Sequence, residues 1–308
     1  MEKIQQEKAN LKFQLQNTME RKSSRKRKIN KLVTILCIIC VGLAIVPLGS
    51  ILFEVIKNGV SALSVEFLTQ RPGSMISGRG GIGPAIQGTL ITVGIASIIA
   101  APVGIFAGIY LAEFAGNGPL PHAVRFFNDV LTGLPSIVLG IVGYIVIVLV
   151  IGSFSVWAGS FALSIIMIPI VVRVTEESLK VVPNSIREAG YSLGIPKWKI
   201  TLHITLKTAF SGVLTGIVIG ISRIAGETAP LIMTILGTSL FFTGFDDPVD
   251  ALPLRIWRLA SQPYDSAHAQ GWAAALILIL IVLLFSVTLR LLAARKGFKV
   301  RVIRYSNV

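Results

Sequence analysis

The chain has 308 residues, of which 53% are hydrophobic and 14% charged, and its mean hydropathy is +0.75. This composition excludes an ordinary soluble domain, and the length allows one integral membrane domain with short tails. The net charge of +14 would favour nucleic-acid binding in a soluble protein. Here the basic residues concentrate at the two ends, beside apolar runs, so we interpret them as orientation signals and predict no nucleic-acid partner.

The first apolar run follows a polar, basic tail over 1–30. This run, 32–53, is long enough to cross a bilayer and has no small-residue cleavage site. We therefore predict an uncleaved first transmembrane helix within 31–56. Cys37 and Cys40 lie inside the run with no further ligand nearby, and we interpret them as apolar filler rather than a metal or redox pair.

A polar connector over 57–84 precedes five further apolar runs. We predict transmembrane helices two to six over 85–111, 124–151, 157–174, 209–236 and 272–292. Three of these spans contain a proline that we expect to kink or unwind the helix: Pro102, Pro135 and Pro169. The sequence thus predicts an all-α integral membrane protein with six transmembrane helices, a core over 85–295 and a basic tail over 296–308.

The placement of basic residues predicts which side of the membrane each loop faces. With the N terminus inside, 23 of the 29 Lys and Arg residues fall on the inner side and five on the outer side. Cytoplasmic loops carry such an excess of Lys and Arg. We therefore predict a multi-pass protein of the cytoplasmic (inner) membrane with both termini in the cytoplasm.

A polar segment over 185–206 separates predicted helices four and five. Ser185 stands three residues before Glu188, a pattern typical of a serine N-cap whose glutamate bonds back to the chain. Gly194 suits the left-handed residue that ends a helix, and Pro196 suits the first turn of the next one. Both helices are too short to span a bilayer, so we predict helix, glycine hinge and helix in cytoplasmic water.

The same segment carries a motif that starts at Glu188 and reads EAG-x3-G-x9-I-x-L. It resembles the EAA loop of the permeases of ABC importers, whose pattern is EAA-x3-G-x9-I-x-LP, and we call 185–206 the EAA segment. Gly190 replaces the second alanine of the pattern, and Lys207 replaces the final proline.

This resemblance implies a type I ABC importer permease fold, with the EAA segment as a cytoplasmic coupling helix between helices four and five. In the family, that helix docks on an ATPase subunit. The residues that the motif assigns to this contact are Glu188, Ala189, Gly190 and Gly194.

Predicted helix five contains two charged residues inside an apolar run, Arg223 and Glu227. They lie four residues apart and therefore on one face of the predicted helix. Charges at that depth cost several kcal/mol unless they are paired or face water, and they commonly mark a transport pathway. A structural ion pair that holds helices together is the alternative.

The phrase R-x-x-GETAPL in helix five and the phrase GLPSI in helix three resemble the phosphate importers within the same permease family. The resemblance covers roughly 80–295 of the chain and implies inward transport of inorganic phosphate. It implies four kinds of partner: a second permease subunit, a pair of ATPase subunits, an extracytoplasmic phosphate-binding protein and membrane lipid. It assigns Arg223, Glu227 and Thr228 to the substrate pathway.

The sequence contains no G-x-x-x-x-G-K-[ST] phosphate-binding loop, so ATP hydrolysis requires a separate subunit. We predict no enzyme activity, no catalytic residue and no cofactor. The outer loop over 237–271 holds four aspartates that could bind a divalent metal, Asp246, Asp247, Asp250 and Asp265. Because calcium-loop spacing is absent, we predict a partner-contacting loop and no metal site. The open alternatives are a permease for another oxyanion, a membrane enzyme acting on lipid phosphates, and a channel or sensor.

Overall fold

The computed structural model describes the backbone of residues 2–73, 80–116 and 118–296. Over these residues the chain is helical apart from turns, links and an isolated bridge between Pro72 and Gly80. It divides into two compact units, Met1–Val55 and Ile56–Val308. The C-terminal tail predicted over 296–308 lies outside the described residues from residue 297 onward.

The first unit is formed by helix α1 (Glu2–Gly59), which runs without a break from the basic tail through the first apolar run. Its apolar stretch belongs to the candidate membrane span Ile29–Ala62, with a mean hydropathy of 2.8. The large apolar side chains of this stretch are exposed, as at Leu36 and Leu48. A stripe of this length requires a lipid environment, which agrees with the predicted first transmembrane helix.

In the described part of the second unit, shorter helices alternate with long ones. Their bounds are α2 (Val65–Thr69), α3 (Gly83–Ile109), α4 (Pro119–Gly133), α5 (Ser136–Gly143), α6 (Leu149–Ile151), α7 (Val156–Lys180), α8 (Asn184–Ser192), α9 (Lys197–Ile200), α10 (Leu206–Ala225), α11 (Ala229–Thr234), α12 (Leu252–Ala260) and α13 (Asp265–Lys296). Wider π turns join some of them, at Tyr110–Phe114 after α3, Tyr144–Val148 after α5 and Thr201–Thr205 after α9.

Five helical stretches of the described chain are long and apolar enough to cross a membrane, and a bent pair makes a sixth. Besides the span in α1, they are Gly83–Phe114, Val156–Lys180, Lys197–Ala225 and Asp265–Leu291. The bent pair is Pro119–Gly133 with Ser136–Ile151. An all-α membrane protein with six predicted spans is confirmed when the bent pair counts as one span.

Predicted helix three, 124–151, is wrong as a continuous helix. α4 and α5 meet at an angle of 104°, with Leu134 and Pro135 between them. Leu134 is extended, with φ −69° and ψ 140°, because the ring of a following proline disfavours helical backbone in the residue before it. Pro102 and Pro169 lie inside continuous helices, so the expected unwinding occurs only at Pro135 among the three.

Predicted helix five, 209–236, is also wrong at its C-terminal end. α10 ends at Ala225, and residues 226–228 leave the helix before α11 begins. Pro230 has no N–H group to donate to the carbonyl of Gly226, so one helical hydrogen bond is absent at this point. The break separates Arg223 from the GETAPL residues that follow it.

Helix α7 forms the centre of the second unit, with 67% of its apolar window buried. Helix α3 packs against it through Gly104 and Gly108. A Cβ added at either glycine would lie 2.6 Å from the Cβ of Val171 or Thr175, respectively. Lipid tails are as apolar as the side chains, so close backbone approach and van der Waals contact hold such helices together.

The two ends of α3 contact different parts of the chain. At its start, the Thr89 hydroxyl accepts a hydrogen bond of 2.8 Å from the Leu252 amide of α12. Beyond its end, Glu113 pairs with Arg187 of α8. A 27-residue helix is about 40 Å long, so α12 and α8 lie at opposite ends of the unit. This matches the prediction that the outer loop and the EAA segment face opposite sides of the membrane.

Replacement of Gly108 by valine tests the α3–α7 contact. We expect Gly108→Val to lower the free energy of unfolding by about 1–3 kcal/mol, because the added side chain forces the two helices apart. Gly94→Val is the matched control, since Gly94 lies in the same helix and its added Cβ would meet no heavy atom within 4 Å. Thermal unfolding of the purified chain in detergent measures both variants. Equal melting temperatures would contradict the packing role of Gly108.

Candidate functional site

The backbone leaves its helical path just after Arg223, which lies in the last turn of α10. The amide of Gly226 donates to the Arg223 carbonyl at 3.2 Å, and the next two residues, Glu227 and Thr228, form the link to α11. Non-helical backbone at membrane depth is tolerated where protein or a water-filled cavity satisfies its polar groups. The break therefore makes this part of the chain a candidate site.

Arg223 and Glu227 contact each other across the end of the helix, although Glu227 lies beyond it. Nη2 of Arg223 is 3.6 Å from Oε1 of Glu227, longer than a hydrogen bond. The Arg223 side chain is 60% exposed and that of Glu227 is 15% exposed. Thr228 is half-buried, and its carbonyl accepts from the amides that start α11. The contact leaves most of the guanidinium accessible to another group.

A cavity of about 140 Å³ lies at the bend between α4 and α5, and we call it the elbow cavity. Arg223 lines it from α10, together with residues of α4, α5, α7 and the α4–α5 link. Its other lining residues are Leu131, Thr132, Leu134, Ser136, Leu139, Ile166, Pro169 and Ile170. The break at 134–135 therefore lines this cavity, and the last turn of α10, just before the break at 226–228, contributes Arg223 to it.

The elbow cavity combines a cation with hydrogen-bond donors. The Arg223 guanidinium offers a planar set of N–H groups that suits oxyanions. Ser136 contributes a hydroxyl at the start of α5, where the first amides of a helix have no intrahelical acceptor. The Thr132 hydroxyl donates to the Asn128 carbonyl at 2.8 Å and so does not donate into the cavity. This chemistry fits a small oxyanion.

The EAA segment contains the predicted glycine hinge. Gly194 has φ +71°, and its amide donates to Tyr191 at 2.9 Å while the Ile195 amide donates to Gly190 at 3.2 Å. These two bonds form the Schellman motif that ends many helices, and they require a left-handed residue at position 194. The prediction for Gly194 is confirmed in its conformation.

The predicted serine cap is wrong. Helix α8 begins at Asn184 with Pro183 as its N-cap, and no side chain caps it. Pro183, with φ near −59°, takes the N-cap position two residues before the predicted cap, and this places Ser185 inside the first turn. Pro196 is likewise an N-cap rather than part of the first turn.

The second helix of the EAA segment is not a separate short helix. It runs from Lys197 through the Thr201–Thr205 π turn into α10, giving one candidate span of 29 residues, Lys197–Ala225. Lys207 lies where the family motif has a proline, and a lysine lets the helix continue. The expectation that both helices are too short to span a bilayer is therefore wrong for the second one.

The four motif residues of the EAA segment differ in exposure. Glu188, Ala189 and Gly194 are exposed, whereas Gly190 is buried. A Cβ added at Gly190 would lie 2.8 Å from Cδ1 of Ile200, so glycine in place of alanine lets α8 pack closely on α9. Gly190 therefore lies in the contact between α8 and α9. The other three motif residues lie on the surface of this chain.

Sequence reasoning missed the residue that holds the EAA segment to the rest of the unit. Arg187 of α8 binds Glu113 beyond the end of α3, with Nη2 to Oε1 at 2.6 Å, and their side chains are 13% and 5% exposed. The sequence does not show which residue pairs with a buried charge, because these two residues are 74 positions apart. The available signal was a lone glutamate at the end of an apolar run.

The outer-loop aspartates do not form a metal cluster. Among the described residues, no group of three or more His, Cys, Asp or Glu side chains could hold a metal ion. Asp250 is buried and accepts a 2.6 Å hydrogen bond from Nε of Arg255 on α12. Burial raises the pKa of the Asp250 carboxyl, and the Arg255 charge opposes that shift. Asp250 and Arg255 instead brace the outer loop against α12.

The chain is similar to several bacterial and archaeal proteins over most of its length. "Phosphate transport system permease protein PstA" of Yersinia pestis is 38% identical over 282 residues, which cover 92% of this chain and 96% of that protein. The protein of the same name from Pasteurella multocida is 41% identical, and the match covers 87% of this chain and 95% of that protein. "Probable phosphate transport system permease protein PstA" of Methanocaldococcus jannaschii is 36% identical, and the match covers 80% of this chain and 88% of that protein.

Two solved structures have a similar fold at low sequence identity. A chain of the bacterial alginate ABC transporter, crystallised with an alginate pentasaccharide-bound periplasmic protein, aligns with a TM-score of 0.64 at 12% identity, covering 88% of this chain and 96% of that one. A chain of the inward-facing MetNI methionine ABC transporter aligns with a TM-score of 0.56 at 15% identity, covering 70% and 97%. The type I importer permease fold is thereby confirmed.

The family match coincides with the region that contains the site. Residues 104–298 match the family described as "Binding-protein-dependent transport system inner membrane component", and this range includes both helix breaks and the EAA segment. It makes the chain a transmembrane transport subunit and sets aside an enzyme acting on lipid phosphates. With this match over more than half of its length, and with relatives near 40% identity, the chain belongs to the family of binding-protein-dependent transport system inner membrane components.

Proposed function

We propose that this chain is the permease subunit of an ATP-driven ABC importer that carries inorganic phosphate into the cell. The observation that carries the proposal is its similarity, at 38–41% identity over nearly the whole chain, to permeases named for phosphate transport. The elbow cavity supports it, because an exposed arginine beside hydrogen-bond donors suits a tetrahedral oxyanion. Arg223, Glu227 and Thr228 form the substrate pathway in this proposal.

The proposal includes the partners that such an importer needs. A second permease subunit completes the pathway, a pair of ATPase subunits binds on the cytoplasmic side, and a phosphate-binding protein delivers substrate outside. The exposed Glu188, Ala189 and Gly194 of the EAA segment contact an ATPase subunit, while Gly190 keeps the segment compact. ATP binding and hydrolysis move this segment, and the two permease subunits alternate between outward-facing and inward-facing states.

Glu227 favours phosphate over sulfate within this proposal. A carboxylate is an acceptor only, and it accepts a hydrogen bond from a protonated phosphate. Sulfate at neutral pH has no proton to donate, so the same carboxylate repels it. Uptake of labelled phosphate by the assembled transporter, measured with and without an excess of sulfate, tests the choice of ion. Equal competition by sulfate and unlabelled phosphate would favour a less selective oxyanion permease.

The first prediction concerns the hinge of the EAA segment. We expect Gly194→Val to reduce ATP-driven phosphate uptake, because a left-handed backbone costs a valine about 1–2 kcal/mol. An added Cβ at Gly194 would meet no heavy atom within 4 Å, so within this chain only the backbone conformation is affected. Gly194→Asn is the matched control, since asparagine tolerates this conformation, and it should retain uptake. Uptake and co-purification of the ATPase are measured together, and normal uptake by the valine variant would remove the hinge role.

The second prediction concerns the cation of the elbow cavity. We expect Arg223→Gln to insert and assemble normally but to lose about tenfold or more of phosphate uptake, because a hydrogen bond to a charged group contributes about 1.5–3 kcal/mol. Arg223→Lys keeps the charge but loses the planar fork, so its uptake should lie between the two. Wild-type uptake by the glutamine variant would mean that Arg223 is a structural brace.

A charge swap separates the pathway from the ion-pair alternative. Arg223→Glu combined with Glu227→Arg keeps opposite charges four residues apart. If the pair only holds the helix end together, the swap should restore much of what each single reversal loses. If Arg223 faces the substrate, the swap should not rescue uptake. Subunit assembly, measured by co-purification, confirms that each variant is inserted and folded.

The third prediction concerns orientation, which we propose with both termini in the cytoplasm. A reporter that is active only in the cytoplasm, fused after Lys180 at the end of α7, should be active. The same reporter fused at Asp247 in the outer loop should be inactive. Activity at Asp247 would overturn the orientation and place the EAA segment outside.

A further inference from the structure

The π turn beyond α3, Tyr110–Phe114, contacts arginines from two different segments. Glu113 binds Arg187 of α8, with Nη2 to Oε1 at 2.6 Å. Two residues earlier, the Leu111 carbonyl accepts a 3.1 Å hydrogen bond from Nη2 of Arg125 on α4. One short turn thus joins the EAA segment to α4.

Arg187 is held from several directions. Besides Glu113, it donates to the carbonyls of Leu179 at 2.8 Å and Val182 at 2.6 Å, where α7 ends. The Leu179 carbonyl also accepts from the Val182 amide at 3.2 Å, so Arg187 adds a side-chain partner to backbone groups at the end of α7. With 13% of its side chain exposed, Arg187 cannot move without α7 and the π turn also rearranging. One side chain of α8 thus contacts both of these elements.

Arg125 fixes α4 in a similar way. Its Nε donates to Oε1 of Glu176 on α7 at 3.0 Å, and Glu176 is 4% exposed. Lys180 also binds this carboxylate from the next turn of α7. The N-terminal half of α4 is thus tied to α7 and, through the Leu111 carbonyl, to the same π turn that Arg187 binds.

The other end of α4 reaches the elbow cavity. Leu131 and Thr132 line the cavity together with Arg223. Asn128, one turn earlier, donates to the Pro169 carbonyl of α7 at 3.4 Å. A 15-residue helix is about 22 Å long and moves as a rigid body, so a displacement at Arg125 reaches Thr132.

We propose that Arg187, Glu113 and Arg125 are positioning residues that link the EAA segment to the elbow cavity, with α4 as the moving element. The link rests on the proposed function, since it requires an ATPase to act on the EAA segment. None of the three residues contacts the cavity itself. They act by making the position of α4 depend on that of α8.

The test uses the assembled transporter in lipid vesicles and a cysteine placed at the cavity. Cys37 and Cys40 are replaced by serine, and Thr132→Cys is added as a reporter on α4. The rate of reaction with a water-soluble thiol reagent is measured without nucleotide and with ATP plus vanadate. In this parent we expect the two rates to differ by about fivefold or more, as in ordinary coupling between sites. In Glu113→Gln and in Arg125→Gln we expect them to be equal.

A matched control removes a comparable ion pair at the other end of α3. Arg255→Gln breaks the pair with Asp250, whose side chains are 4% and 0% exposed, and it should keep the nucleotide-dependent difference. Phosphate transported per ATP hydrolysed is measured on the same vesicles. This ratio should fall in Glu113→Gln and Arg125→Gln while ATP hydrolysis continues. In the double variant, the phosphate transported per ATP hydrolysed should be no lower than in the worse single variant, because the two contacts act in series.

Three outcomes would overturn the link. They are a parent with no nucleotide-dependent difference at position 132, a wild-type difference in Arg125→Gln, and a double variant whose losses add. Melting temperatures in detergent identify a variant that has only lost stability, and Arg125→Lys, which keeps the charge, should then recover part of the difference. The labelling does not depend on the transported ion. Absence of phosphate uptake by the unsubstituted transporter, with the labelling difference at position 132 intact, would overturn phosphate as cargo and leave the link standing.

Discussion

The close approach of α3 to α7 is the constraint on which the second unit depends. A Cβ at Gly104 or Gly108 would lie 2.6 Å from a side chain of α7, so only glycine allows this contact. In lipid, where apolar side chains gain little by leaving their solvent, such contact replaces the hydrophobic effect as the source of helix association. It also places the end of α3 beside the end of α7, where Glu113 and Glu176 hold arginines of α8 and α4.

The candidate site is built from interruptions of regular structure. The break at 134–135 lines the elbow cavity, Arg223 reaches the cavity from just before the break at 226–228, and the helices that follow the two breaks, α5 and α11, pack together. A Cβ added at Gly140 of α5 would lie 2.6 Å from Cα of Pro230 in α11, so the two breaks are held in register by a backbone contact. Irregular backbone in a membrane requires protein or cavity groups as hydrogen-bond partners. A site that binds a polar ion satisfies the same requirement.

Several parts of this arrangement could be predicted because they follow from local chemistry. Long apolar runs predicted the spans, since crossing a bilayer needs about 20 apolar residues. Gly194 was predictable because few other residues adopt a left-handed backbone. The cap at Ser185 was not, because Pro183 takes the N-cap position of α8 two residues earlier. The continuous helices predicted over 124–151 and 209–236 were wrong, because hydropathy is averaged over a window of residues. It carries no information on where the backbone bends within an apolar run.

The sequence by itself determined the membrane class, the number of spans, the hinge in the EAA segment and the presence of charges inside an apolar run. These depend on composition and on the conformational limits of single residues. Only the tertiary structure decided that Arg223 lies beside the bend of another span, and that Arg187 meets Glu113 across 74 positions. Contacts of this kind depend on which helices pack side by side, and that choice is made by the shapes of whole helix surfaces rather than by any local pattern.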